Sequence, residues 1–299
     1  MQILSKIAEF RDHAGPVYDL LMSPGSNKFY SCSGDRFVAR WQADATGQDG
    51  FSIRLEEVAF AMGYGAQNKL LLLGTDSGRI HVIDLVKKVE TRLLESHNLG
   101  VFCFEHVPSE NWMISGGGKG VLNVWNSENM DFIRSIPLDV SKIRSIHHRD
   151  DAIWVAQSNG FITKMDLPYL NSIADWKAHE GGTYCIRSID AKNAIVSGGA
   201  DGMIRCWSEN GKELYAFPAH KGAIYDLQMN EDYLFSCSRD KSIKVWDLND
   251  LSHVQTIERP KHASHTHSIN SILILDKNTL ASAGDDRRII LWNISNGSK

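Results

Sequence analysis

Residues 179–207 read HEGGTYCIRSIDAKNAIVSGGADGMIRCW, and their pattern organises the whole chain. They contain three short runs, TYCIRSI, NAIVSG and MIRCW, which alternate in character and are rich in β-branched residues. Half-buried strands need that composition. Asp201-Gly202 separates the second run from the third, and Asn210-Gly211 separates the third from a fourth at residues 214–217. Such pairs accept the positive φ of a tight turn. Four polar or aromatic residues punctuate the strands: His179, Ser197, Asp201 and Trp207.

The same set recurs on either side. It is His13, Ser31, Asp35 and Trp41 near the start, then His220, Ser236, Asp240 and Trp246, and finally His265, Ser282, Asp286 and Trp292. In each, Ser precedes Asp by four and Trp follows Asp by six. A further repeat has His97, Ser115 and Trp125 but places Lys119 where Asp belongs. Two more keep the apolar pattern and a turn, at Ser77-Gly78 and Asn159-Gly160, with Ile83 and Met165 in the Trp position. Those seven positions are 42, 42, 40, 42, 39 and 46 residues apart, close to the ~40–45 of one four-stranded propeller blade.

On these residues the chain resembles the WD40 family over its whole length. The resemblance implies an all-β fold, a single seven-bladed β-propeller domain over residues 1–299. It also implies that each buried Trp N–H donates to Ser, Ser bonds His, and His bonds Asp. Such a chain satisfies groups that would cost about 1–3 kcal/mol each if buried unpaired. The three incomplete repeats are expected to rely on packing and to be the more mobile side.

Trp292 is followed only by NISNGSK, while a spare strand, residues 3–10, precedes His13. Phe10 stands three before His13, as Trp176 does before His179 and Phe217 before His220. The N-terminal strand is therefore expected to complete the last blade and cover its edge.

A Ser/His/Asp set invites a catalytic reading, but a nucleophile is normally unique and this set recurs. No enzyme, cofactor or metal is expected. The run HASHTH holds only His262, His265 and His267, with His265 already in a repeat set. GGGKG at 116–120 lacks the spacing of a phosphate loop. Trp112 and Trp154 read as core between blades.

Net charge is −4, with 42% apolar and 23% charged residues, which disfavours direct nucleic-acid binding. No run of residues reaches the ~18 needed for a membrane span, and MQILSKIAEFRD is too polar for a secretory leader. Five cysteines without metal spacing fit a cytoplasmic protein with buried thiols.

Proteins of the resembled family bind partners on the top face, around the channel mouth. Two positions per blade are implied to point there. The residue five after the loop His gives Tyr18, Phe102, Tyr184, Tyr225 and Asn270, with Arg144 as the equivalent in the His-less fourth repeat. The residue before the turn Asp gives Gly34, Gly118, Ser158, Ala200, Arg239 and Asp285. Tyr, Phe and Arg are enriched in interface hot spots. The expected function is a non-catalytic scaffold or adaptor, a monomeric propeller within a larger complex, binding a protein or peptide. Arg144, Arg239 and the loop ERPKHAS, with Arg259 and Lys261, favour an acidic segment. A small or modified ligand, phosphorylated or methylated, is the alternative, and an enzyme the distant one.

Overall fold

In blade 5 the expected runs fold as strands Thr183–Ile189, Ala194–Gly199, Met203–Ser208 and Glu213–Pro218. They are hydrogen-bonded antiparallel in that order. Gly202 and Gly211 take φ of +73° and +77° at the anticipated turns. Burial is graded across the sheet: the second strand is buried throughout and the fourth is largely exposed. Second strands therefore read as continuous runs of apolar and small residues, because both faces pack.

The computed structural model describes residues 2–44 and 46–295. The fold class is a seven-bladed β-propeller, built from seven four-stranded sheets. The chain divides into two compact units. One spans residues 1–58 and 219–299 and holds blades 1, 6 and 7; the other spans 59–218 and holds blades 2 to 5. Within each unit the first strands of successive blades pack on one another.

The N-terminal strand, Leu4–Phe10, pairs antiparallel with Ile289–Ile294, from Leu4↔Ile294 to Phe10↔Ile289. It thus completes blade 7, as the register of Phe10 required. Gln255 of blade 6 fastens it. Its Oε1 accepts the N–H groups of Ile3 and Leu4 at 2.7 and 2.8 Å, and its Nε2 donates to the Leu4 carbonyl at 3.1 Å. Ile3 and Leu4 then join one apolar cluster with Trp292, Phe235 and Ile257.

The repeated polar sets form the expected chains. Trp Nε1–H donates to Ser Oγ at 2.7–3.0 Å in blades 1, 5, 6 and 7. The Ser hydroxyl lies 2.7–2.8 Å from His Nε2, and His Nδ1 lies 2.8–3.1 Å from Asp. Burial works to raise the Asp carboxyls, but the histidine bond and backbone N–H groups outweigh it. They hold Asp201, Asp240 and Asp286 far below the ordinary carboxylate range and Asp35 below it. Ser31, Ser197, Ser236 and Ser282 are completely buried, and their hydroxyls link Trp to His inside each blade.

Blade 3 keeps the Trp125–Ser115–His97 part, at 3.0 and 2.9 Å. With Lys119 exposed in place of a carboxylate, burial alone pushes His97 down to about 4. Blade 4 adds a polar network of its own to the packing on which it was expected to rely more. Ser141 donates to Gln157 Oε1 at 3.1 Å, Gln157 Nε2 to Thr163 at 2.8 Å, and Thr163 to Asp175 at 2.7 Å. Its buried amide substitutes for the missing imidazole, with different residues at different spacing. Blade 2 carries a lesser pair, His81 Nδ1 with Glu90 at 3.0 Å. Trp154 packs with Trp207 and Ile186 in the core as expected, and the partly buried Trp112 lies under the Arg134 guanidinium.

Candidate binding surface

In every blade the pairing of the first and second strands slips by one residue at the same place. The skipped residues are Tyr18, Phe60, Phe102, Arg144, Tyr184, Tyr225 and Asn270. A bulge leaves one residue out of the ladder and re-aims its side chain. Counting from the loop His finds five of these residues, and the equivalence proposed for Arg144 holds in register. Phe60 was missed because blade 2 has no such His. Its signal was the interval itself, since 18, 60, 102 and 144 are evenly spaced by 42.

Within residues 59–218 four of these side chains form one stack. Phe60 and Phe102 lie parallel, 5.7 Å apart. The Arg144 guanidinium sits 5.2 Å from the Phe102 ring and 5.0 Å from that of Tyr184. Lys142 Nζ is 5.5 Å from Phe102. All four stacked residues are half-buried and Lys142 is exposed. Gly182, at φ +137°, makes room for Tyr184: a Cβ there would lie 2.7 Å from the ring. Each cation–aromatic contact contributes about 0.5–2 kcal/mol and fixes the guanidinium plane. Among the described residues Arg144 Nε is buried without a hydrogen-bond partner. Leu99 and Val140, in the loops entering blades 3 and 4, add exposed apolar surface.

The other unit presents Tyr18, Tyr225, Asn270, Arg239 and Asp285. Asn270 Nδ2 donates to Asp285 Oδ1 at 2.8 Å and to the Val17 carbonyl at 3.0 Å, so this pair is engaged in joining blades 7 and 1. Tyr225 packs against the cluster around Trp292. Arg239 is exposed and Tyr18 half-buried. In the long loop before blade 7, Arg259 Nε donates to the Ser264 carbonyl at 2.8 Å, which ties one of its two cations inward. Among the described residues no group of three His, Cys, Asp or Glu is arranged to hold a metal ion. Cys103 is half-buried and the other four cysteines are buried, all as free thiols.

The family model described as WD domain, G-beta repeat matches residues 4–42, 88–126, 170–208, 211–247 and 256–293, more than half of the chain. The unmatched stretches contain most of blades 2 and 4, whose polar sets depart from the pattern. Nuclear distribution protein nudF 1 of Talaromyces marneffei is 28% identical over 138 residues, covering 44% of this chain and 29% of that protein. Human apoptotic protease-activating factor 1 is 21% identical over 307 residues, covering 98% of this chain and 23% of that protein. Mitochondrial division protein 1 of Kluyveromyces lactis is 24% identical over 163 residues, covering 44% of this chain and 23% of that protein. The chain thus spans less than a third of the length of these relatives.

Proposed function

Because the chain belongs to the WD40 family, we propose that it acts as a non-catalytic scaffold, residues 1–299 working as one domain, that docks a segment of a partner protein. The principal contact is the Phe60–Phe102–Arg144–Tyr184 stack. The observation that carries this is the Arg144 guanidinium, held between the Phe102 and Tyr184 rings with the exposed Lys142 beside it. Rigid aromatics around a pre-set guanidinium suit a carboxylate-bearing segment, and Lys142 adds a second cation. Within the other unit, Tyr18, Tyr225 and Arg239 are proposed as contacts in their own right.

The relatives' names concern nuclear distribution, apoptotic protease activation and mitochondrial division, so none supplies a partner for this chain. Five free cysteines favour the cytoplasm, and no helix is long and apolar enough to cross a membrane. We read the chain as a monomer that enters larger complexes.

The test is affinity purification from the native cell, comparing wild type with a Phe102→Ala/Arg144→Ala variant of unchanged far-UV spectrum. The variant is expected to lose a protein that wild type retains, with retention weakening as salt is raised. Equal capture of the same proteins by both would sink the reading.

A further inference from the structure

Four blades carry the His–Asp pair, its imidazole buried and its carboxylate half-buried, and in three of them the chain sets its own cation beside it. In blade 5 Arg205 Nη1 lies 2.7 Å from Asp201 Oδ2. In blade 7 Arg288 donates through Nε and Nη2 to Asp286 Oδ2, at 2.9 and 2.5 Å. In blade 6 Lys244 Nζ donates to the Ala219 carbonyl, next to His220. Arg205 and Lys244 occupy the same register, opposite the buried serine: Ser197↔Arg205 and Ser236↔Lys244. In blade 1 that register pairs Ser31 with Ala39.

Alanine leaves the place unfilled, and the fourth strand does not fill it. Pairing there jumps from Ala39↔Ser52 to Trp41↔Gln48, and the intervening Asp49 is taken up by Lys28 and Arg40 at 2.8 Å each. Among the described residues Asp35 has no ion pair with Lys or Arg; His13 is its charged-type partner. What remains is a half-open cleft of about 350 Å³, bounded by Asp12 and Asp35, by Phe37 and Trp41, and by Gln48 and Ser52. That volume is at the lower end of ligand-binding clefts, ~300–1,000 Å³.

We propose that this cleft receives an arginine side chain from a partner protein, taking the place that Arg205 holds in blade 5. The repeat itself indicates the chemistry, since the corresponding His179–Asp201 pair of blade 5 accepts a guanidinium. Two carboxylates supply charge, Gln48 and Ser52 supply further acceptors, and Phe37 offers a face for stacking. A guanidinium is planar, weakly hydrated and able to bond in two directions, so it suits this lining better than an ammonium. A neighbouring hollow shares Asp35 and Phe37 and is lined by Arg36, Arg54 and Glu56, so residues flanking the arginine meet both signs of charge. None of the residues named for this cleft belongs to the bulge-position stack, and the two proposals stand or fall separately.

The probe is the peptide acetyl-Gly-Arg-Gly-amide, titrated into the full ¹⁵N-labelled chain with tryptophan indole N–H signals as readout. Its lysine and citrulline counterparts serve as comparisons. Saturable movement of an indole signal is expected with the arginine peptide, with the citrulline peptide weaker by about tenfold or more. Ala39→Arg fills the cleft from within and should abolish the movement. Asp12→Asn, an exposed change remote from the buried serine, should weaken binding about threefold or more and keeps the proposal testable if Ala39→Arg does not fold. Equal binding of arginine and citrulline peptides, no saturable shift, or undiminished binding by both variants would each overturn the proposal. Lysine binding as tight as arginine would overturn its guanidinium specificity.

Discussion

The His179 ring of blade 5 lies between the Ser197 hydroxyl and the Asp201 carboxylate, whereas the His97 ring of blade 3 has the hydroxyl and, among the described residues, no carboxylate behind it. Blades 1, 5, 6 and 7 share the first arrangement; blades 2, 3 and 4 do not. The difference lies in how each blade satisfies its buried polar atoms. A carboxylate orients the imidazole, accepts backbone N–H groups from the turn and ties two loops to the sheet in one step. Blade 4 reaches a comparable end with an amide and a threonine, while blade 3 stops half-way. Completeness of the set is therefore one route to a braced blade, and the comparison can be broken at three levels.

Removing residues 1–10 should have the largest effect. That strand supplies the fourth strand of blade 7, buries Ile3 and Leu4, and carries Glu9, which pairs with Arg288 behind Asp286. Loss of two fully buried aliphatic side chains alone costs about 3–6 kcal/mol, and the exposed edge of Ile289–Ile294 adds to that. Thermal unfolding is expected to shift down sharply, with aggregation through the open edge. An unchanged melting temperature would mean that the strand only decorates the fold.

Single substitutions then set the two classes of blade against each other. Asp240→Ala removes acceptors for His220, the Lys221 and Ser242 N–H groups and the Ser242 hydroxyl, and should cost about 2–4 kcal/mol. Gln157→Leu keeps the volume in blade 4 but strands Ser141, and should cost about 1–3 kcal/mol. Lys119→Ala, on an exposed turn, should stay within about 0.5 kcal/mol. Denaturant midpoints rank the three. If Gln157→Leu is as silent as Lys119→Ala, packing alone holds blade 4 and the bracing ascribed to its network fails.

Why some of this was legible in the sequence follows from the residues. Strand and turn lengths within a blade are constrained, so Ser, Asp and Trp recur at fixed intervals, with His 16 to 18 residues before Ser, and announce the fold. The N-terminal strand was legible for the same reason, through Phe10 and its distance from His13. Gln157, Thr163 and Asp175 lie on three strands, and their contact depends on register, which no interval between them reveals. Phe60 lacked the landmark His. The cleft beside Asp35 arises from what Ala39 does not fill and from a slip in the fourth strand, and an alanine in a strand carries no signal of the space beside it.

The smallest change asks whether blade 3 is simply a blade missing one group, and Lys119→Asp supplies that group. Burial disfavours the charge of His97 and pushes it down to about 4 in the folded chain, against ~6.5 when unfolded. Between those values the unfolded chain holds a proton that the folded chain lacks, so stability falls as pH drops from about 6.5 to about 4. A carboxylate opposite Nδ1 favours the protonated ring, raises its value and removes part of that slope. His147, pushed to about 4 mainly by burial and further by Arg187, keeps its contribution, so some acid sensitivity persists. At pH 7 the added bond to the neutral ring should stabilise by about 1 kcal/mol, and the advantage should widen toward pH 5. Melting temperatures of wild type and variant at pH 7, 6 and 5 measure both effects. A variant that melts lower at every pH would show that the turn in blade 3 cannot bring a carboxylate to His97. The contrast with blade 5 would then reside in the backbone as well as in one side chain.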